Sequence, residues 1–529
     1  MGLKGDERAA AMNSALASSC LSERRENFVI PTIAGFGMLV LAIALLPASP
    51  GQGDGAEFTL ALAFGGLPHP TGYPLYVLLG HLFVKLLHAM GASFVVAANA
   101  WSAVGAALAL AGFTRLGLEL IRVTSVQSSR PLSPALPFAA LIPAALLALN
   151  PVWLIAATQA EVYSFWYAGI AAVALVSLIE VRRMHATPFA SSPGKPAEAR
   201  DLRMAIVWGA LCGASLVHHV ASIVLWAPLS LLLAWTAWRT GRQLRPLFIA
   251  CLAAAALPLL ALAHVAYRAF HPAVYQWPID SHWAGVWQHV SGSVYSRFVG
   301  GGFQPFGLQL ELIASAVMPF MLLLPMLGLW ALHIGSSPVR WWLLTLLIGV
   351  GTLTTLVFRY GVPDPAAYFG PAIMIGFLVG IPIIVAATRR ASRVGVVAVA
   401  MALVATAAMW AIPRATAERA RLSRVDTRMR NAWNAVPFDR GFVVFKDDHS
   451  ARLEILRLLE GQRPELLVIN PHMLTWTANR NRFAQEFGFD PVALVRTDYT
   501  TELPVIIERG TGLPMVDFRD VLEGRLPHR

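Results

Sequence analysis

The stretch FVIPTIAGFGMLVLAIALL, residues 28–46, carries no charged side chain. As a helix rising 1.5 Å per residue it is long enough for a bilayer hydrocarbon core of about 30 Å. A few residues beyond it the chain reads Gly53-Asp54-Gly55-Ala56-Glu57-Phe58, then Pro68-His69-Pro70-Thr71-Gly72-Tyr73-Pro74-Leu75-Tyr76. Two carboxylates, a histidine and a proline-fixed aromatic turn therefore stand at the mouth of the first span. In isolation Asp54 and Glu57 read as solvated cap residues of a loop. At the surface of a very apolar chain they are also where acid/base chemistry on a lipid-borne substrate would sit.

The whole chain has that apolar character. It has 529 residues, 56% hydrophobic and 13% charged, with a mean hydropathy of +0.59. Soluble domains carry about 25% charged residues, so the sequence reads as an α-helical polytopic membrane protein. Residues 1–28 are polar, and the run that follows lacks a small-residue cleavage site, so it reads as a retained span. Cys20 has no apolar region before it that would make a lipobox, and Cys212 and Cys251 lie in apolar runs as small hydrophobes. No disulfide framework or metal-ligand spacing is visible. The net charge of +11 lies largely in membrane-flanking loops and calls for no nucleic acid.

Apolar runs of spanning or near-spanning length occur at 29–47, 93–113, 136–157, 162–181, 203–219, 221–238, 246–267, 309–333, 341–358, 369–388 and 394–412. A twelfth, 72–90, is interrupted by His81, Lys85 and His88 at near-helical spacing, a pattern that suits an interfacial helix. With 72–90 left outside and the N-terminus inside, the inner segments hold nineteen Lys and Arg, and the outer loops hold Lys85, Arg268, Arg297 and Arg359 alone. The positive-inside rule selects that arrangement. It predicts about eleven transmembrane helices: a cytoplasmic tail 1–28, a membrane domain 29–412 with outer loops 48–92 and 268–308, and an outer segment 413–529. The last reads as a small α/β domain, with strands at Gly441–Lys446 and Leu466–Asn470 about a helix at 449–460. Asp447-Asp448-His449 falls at a strand's carboxyl end, where open sheets place ligands, and equally reads as a helix cap with an acidic first turn.

This orientation gathers the polar residues of apolar segments on one face: Asp54, Glu57, His69, Tyr73, Gln159, Glu161, Tyr163, His218, His219, Arg268, His271, Arg297, Arg359 and Asp364. Ionisable groups near membrane depth are costly and usually functional. Glu161 also suits the positive end of the helix it opens, and His218-His219 suits polar packing better than a metal site, since no further ligands stand at metal spacing. Loop 268–308 is dense in Tyr275, Trp277, His282, Trp283, Trp287, His289 and Tyr295, which serve an interfacial belt or stack on sugar rings. Arg297 precedes a glycine run, and Arg359 either pairs with Asp364 or meets a phosphate through its planar fork.

The blocks 53–57 and 69–76 resemble the signature of a protein O-mannosyltransferase-like membrane family, in which an acidic D-x-G-E-type motif precedes an H-P-P-G-x-P-L block. Here Ala56 stands before the Glu and Thr71 replaces the second Pro. Fainter echoes are Glu161-Val162-Tyr163, the Gly213–His219 segment, Asp364 followed by Tyr368-Phe369-Gly370-Pro371, and the tail. The resemblance runs through most of the chain and is sharpest over 53–80. It implies a GT-C-like glycosyltransferase using a polyprenyl-phosphate-linked sugar, with an acidic residue of the first outer loop as the catalyst.

The expected enzyme is an inverting, O-mannosyltransferase-like transferase of a bacterial inner membrane, acting at the periplasmic face on a hydroxyl acceptor of protein, glycan or lipid. Asp54 is the expected general base, its basicity favoured by partial desolvation, and Glu57 shares that role or orients the acceptor. Tyr73, Glu161, His219 and Asp364 are expected to bind substrate, while His69, Arg297 and Arg359 hold the leaving phosphate. No cofactor is expected and no divalent metal is required. The competing reading is a multispan transporter or lipid-carrier flippase. It would predict internal repeats and broken helices near the midplane; no repeat is evident, and the polar groups lie at one side.

Overall fold

The computed structural model describes residues 5–126, 136–186, 195–243, 245–302, 307–334, 337–362, 364–390, 392–445, 450–470 and 515–524, with positions 481, 484 and 485 besides; side chains are described from residue 25 on, apart from those at 124–126, 195–197, 297, 337, 389, 390 and 393. The first elements are α1 (Gly5–Leu45), α2 (Gly55–Phe64), α3 (Pro74–Ala89) and α4 (Phe94–Val126), then α5 (Leu141–Ala148), α6 (Pro151–Thr158) and α7 (Tyr163–Ala186). They are followed by α8 (Lys195–His218), α9 (Ile223–Arg239), α10 (Arg245–Phe270) and α11 (Trp283–Ser291). Among the described residues nine helices are long and apolar enough to cross a membrane. A tenth span results if α5 and its preceding turn are counted with α6, which meet at a bend of 77°.

Two expectations change here. The run 136–157 is not one straight span. Asn150-Pro151 breaks it, because Pro cannot continue the donor ladder, and Asn150 caps α6 by accepting from Val152 N and Trp153 N at 3.0 and 3.4 Å. The run 203–219 forms the second half of α8, whose first half carries Glu198, Arg200, Asp201 and Arg203, so α8 is not among the nine. The segment 72–90 is the short apolar helix α3, as its three polar residues imply.

The outer walls of the bundle are apolar, with Phe36, Leu231, Leu259, Leu322 and Met409 more than half exposed, as suits a lipid solvent. Polar tips inside find partners: Trp342 Nε1 donates to Ser177 Oγ at 2.8 Å and Trp166 Nε1 to Ser222 Oγ at 2.9 Å. Helices α8 and α10 approach through small residues. A Cβ built at Gly213 would lie 2.6 Å from the Ala254 carbonyl oxygen, and one at Gly209 would run into that of Ala250. Since lipid tails are as apolar as Leu, such close packing, not burial, holds helices together in a bilayer.

A 43-residue helix, Arg393–Ala435, runs from the last span into the C-terminal segment. The expected boundary at 413 falls inside this helix, and the polar tail 1–28 likewise continues into α1 from Gly5. Beyond it β1 (Gly441–Val444), β2 (Leu466–Ile469) and β3 (Met515–Asp517) form a parallel sheet in the order β2-β1-β3. The segment Ser450–Leu459 makes the crossover. The expected strands and helix are present, while Asp447-Asp448-His449 lies outside the described residues. Met429 and Trp433 of the long helix pack with Val443, Leu453, Leu466 and Phe518.

Gly209→Ala is expected to destabilise the protein by about 1–3 kcal/mol through overpacking, read as a lowered thermal midpoint in detergent. Gly351→Ala, where an added Cβ meets nothing within 4 Å, should leave the midpoint unchanged or raised.

Candidate active site

Helix α2 begins at the acidic motif. Asp54 is its N-cap residue and Glu57 lies in its first turn, where negative charge meets the helix's positive end. Nearly every residue of α2 is buried, so Glu57, 7% exposed, is a carboxylate inside the protein. It is satisfied by His69: Oε1 accepts the His69 backbone N–H at 2.6 Å, and Oε2 faces the ring Nδ1 at 3.0 Å. The other ring nitrogen, Nε2, lies 3.7 Å from Asp54 Oδ2 and 3.5 Å from the Tyr73 hydroxyl. The Asp54 side chain is 43% exposed, far more open than that of Glu57.

The turn before α3 aims these groups. Gly72 and Tyr73 both have positive φ, +79° and +41°, a conformation that glycine adopts freely and tyrosine rarely. It folds the Tyr73 ring edge-on against His69, centroids 5.4 Å apart, with Phe58 edge-on at 5.5 Å from His69. Loop 268–308 closes the far side, where Trp277 and Tyr295 stand 6.1 and 6.2 Å from His69. Its chain is tied to the 359–364 loop by the Val299–Tyr360 bridge and by Gly300 N donating to Arg359 O at 2.9 Å.

Burial opposes a charge on His69, but Asp54 and Glu57, together with the Glu57 hydrogen bond and Asp364, more than offset it and push its pKa up to about 9. The same crowding acts oppositely on Glu161: burial first, then Asp54, Asp364 and Glu57, hold its carboxyl well above the usual range. Four carboxyl groups thus share one region with the His69 imidazole. Asp54, Glu57 and His69 each offer a ligand atom, all within 4.8 Å of one another. This mixed N/O set would suit a divalent cation, so the arrangement supplies a ligand set that sequence spacing did not reveal.

Of the residues singled out from sequence, Asp54, Glu57, His69 and Tyr73 form one cluster. Asp364 joins it, since a Cβ at Gly53 would meet its Oδ2 at 3.3 Å. His219 stands beside Tyr73 at 6.4 Å and stacks on Trp166 at 4.2 Å. Burial, with His218 and His69 nearby, lowers the His219 pKa to about 3, which keeps it neutral. His218 spends Nε2 on the Val162 carbonyl at 2.7 Å, the polar packing expected of it. Arg359 is exposed and is not brought into the cluster, and the side chain of Arg297 lies outside the described residues.

Sequence reasoning missed Asn99 and Ser102 of α4. Asn99 Oδ1 accepts from Ala160 N at 2.9 Å, and Ser102 Oγ exchanges hydrogen bonds with the backbone of Glu161 at 2.9 and 3.0 Å. A fully buried Asn in an apolar helix was the signal.

Residues 54–242 match the family model described as the protein O-mannosyl-transferase TMEM260 N-terminal domain. No curated protein sequence matches the chain. Among solved structures, ArnT from Cupriavidus metallidurans bound to undecaprenyl phosphate aligns with TM-score 0.50 and 13% identity, covering 85% of this chain and 88% of that one. The archaeal oligosaccharyltransferase AglB from Archaeoglobus fulgidus, in complex with an inhibitory peptide and a dolichol-phosphate, aligns with TM-score 0.46 and 13% identity over 85% and 65% of the respective chains. The chain is a multi-pass membrane protein of GT-C-like fold, similar over residues 54–242 to the protein O-mannosyl-transferase family whose model it matches.

Proposed function

We propose that this protein is a membrane glycosyltransferase that moves a sugar from a polyprenyl-phosphate-linked donor to a hydroxyl acceptor at the periplasmic face of a bacterial inner membrane. The observation that carries this reading is the triad in which Glu57 holds His69 with both oxygens and His69 presents Nε2 to the more exposed Asp54. The O-mannosyl-transferase description of the matching family favours a mannose-type sugar and a protein hydroxyl. The undecaprenyl phosphate bound to ArnT, whose fold this chain resembles, favours the lipid-phosphate donor.

In this reading Asp54 takes the acceptor's hydroxyl proton as the oxygen forms its bond to the anomeric carbon. The bond from that carbon to the phosphate oxygen breaks, and the lipid phosphate leaves with the electron pair. A single displacement inverts the anomeric carbon, as it does in inverting glycosidases. Glu57 acts on His69, not on the acceptor, and the imidazole in turn orients Asp54. Tyr73 and Tyr295, whose hydroxyls stay protonated because burial and the nearby charges raise them, donate to sugar or phosphate oxygens. Glu161 and Asp364 meet sugar hydroxyls, and Arg297 stays the arginine proposed for the phosphate, since Arg359 is exposed and outside the cluster. The acid/base steps require no metal.

Transfer from a polyprenyl-phosphate sugar in proteoliposomes tests the reading. Asp54→Asn should lower turnover about 10²–10⁴-fold, the range for loss of a general base, with protein level unchanged. Near-normal turnover would remove Asp54 from that role. Activity should survive a chelator. Loss on chelation with recovery on added Mn²⁺ would instead assign the triad to a cation. Reporters fused after residues 242 and 290 should read cytoplasmic and periplasmic, and the reverse result would put the site on the wrong side.

The raised His69 pKa gives a pH signature. Its folded value of about 9 lies above the ordinary 6.5, so its charge stabilises the fold fully below pH 6.5, and that contribution is lost as pH rises through 9. The difference in thermal midpoint between wild type and His69→Gln should therefore shrink between pH 6.5 and 9. A difference constant over that window would show that the imidazole is not held charged.

A further inference from the structure

The chain between α1 and α2 carries Asp54 into position, and groups distant in sequence hold it. Asn99 Nδ2 donates to the Pro47 and Ser49 carbonyls at 3.0 and 3.3 Å. Gln159 Oε1 accepts from Gln52 N at 2.7 Å, and a Cβ at Gly51 would press on Gln159 at 2.9 Å, so the two chains are in close contact. Gln52 Nε2 donates to Glu418 of the long helix. From the C-terminal segment comes Arg452, 402 positions away, whose Nη2 donates to the Pro50 carbonyl at 3.0 Å and to the Gly51 carbonyl next to it.

Arg452 is 2% exposed. Taking a guanidinium out of water is costly unless its donors are satisfied, so docking that left Arg452 off these carbonyls would be penalised. Both contacts come from one nitrogen, Nη2, and go to main-chain oxygens, so the guanidinium restrains the loop's backbone whatever its side chains. Ala451 and Ile455, on either side of Arg452, pack with Ala56 and Leu60 of α2, in a cluster that also takes in Val95, Phe64 and Tyr275. The same short segment thus holds the peptide units three and four residues before Asp54 and the helix that begins just after it.

We propose that Arg452 is a positioning residue for Asp54: the C-terminal sheet domain completes the active site by docking this guanidinium onto the Pro50 and Gly51 carbonyls, which fixes where α2 starts. The inference rests on the reading of Asp54 as the base. It gives the C-terminal domain a part in turnover beyond any binding of partners.

The test uses the full-length protein in detergent or proteoliposomes, with Arg452→Ala and Arg452→Lys. Amide hydrogen exchange over residues 51–58, where Gly55 N donates to Gln52 O and Phe58 N to Asp54 O, should speed up about tenfold in Arg452→Ala, while exchange in α9 stays unchanged. Turnover should fall about 10–100-fold with the KM for lipid donor nearly constant, the size expected when a catalytic group is displaced by about an ångström. Arg452→Lys keeps the charge on a flexible, more strongly hydrated point donor that does not hold the planar geometry by which Nη2 meets both carbonyls, and should fall between wild type and Arg452→Ala in both measurements. If Arg452→Ala does not accumulate, the Lys variant carries the test alone. Unchanged exchange at 51–58, or a loss that appears only in KM or protein yield, would overturn the proposal. If wild type transfers no sugar, the glycosyltransferase reading fails, and the exchange data still decide whether Arg452 sets the loop.

Discussion

The hold of Glu57 on His69 is the contact on which the rest of the site depends. It closes a stretch of only twelve positions, yet it joins the first turn of α2 to the turn that launches α3. A buried carboxylate with neither oxygen satisfied would cost several kcal/mol. With one oxygen on the backbone N–H and the other on the ring, the same carboxylate fixes both the position and the tilt of the imidazole. Everything packed around that ring, from Phe58 and Tyr73 to Trp277 and Tyr295, takes its place from it.

The opposite end of the bundle is built on a different balance. There Glu119 is met by Arg115, Arg122 and Arg182, while Arg183 bridges Glu180 and Asp201 and Arg242 binds Asp201 again. These pairs join the C-terminal ends of α4, α7 and α9 to the first half of α8. In this network five arginines meet three carboxylates, and the inner segments hold nineteen Lys and Arg against the four of the outer loops. The positive-inside rule reads such a gradient as cytoplasm at the arginine-rich end, which is the orientation adopted in the proposed function.

The helical membrane class and the core of the candidate site were legible because their signals are local. Nineteen uncharged, mostly apolar residues in a row admit little but a span, and Asp54, Glu57, His69 and Tyr73 lie close enough in sequence for one turn to gather them. The strands Gly441–Val444 and Leu466–Ile469 were legible for the same reason, as short β-branched runs set apart by Gly461 and Pro464. The break at Asn150-Pro151 was also written locally, but the surrounding run is apolar enough to read as one span. Arg452 was not legible as a site residue, Asn99 showed only as a polar side chain in an apolar helix, and Trp277 only as one of several loop aromatics. Their roles come from packing between segments tens to hundreds of residues apart, and a guanidinium that binds main-chain carbonyls leaves no complementary side-chain pattern at 50–51 for sequence to show.

Asp54, Glu57, Glu161 and Asp364 place more negative charge around His69 than one imidazolium can cancel, and Glu161 relieves part of it by favouring its protonated form. For the proposed sugar transfer from a lipid phosphate this imbalance would have a direction. Positive charge grows at the anomeric carbon as its bond to the lipid phosphate stretches, and a fixed negative field near that carbon stabilises it more in the transition state than in the bound substrate. The leaving phosphate meets the opposite situation, since carboxylates repel it. Its oxygens need donors that carry no negative charge. Tyr73, Tyr295 and Tyr360 are of that kind, their hydroxyls held protonated with Tyr360 pushed up to about 12. A site of this composition would drive the phosphate away once the bond is broken, so the same charges that favour bond breaking also favour product release.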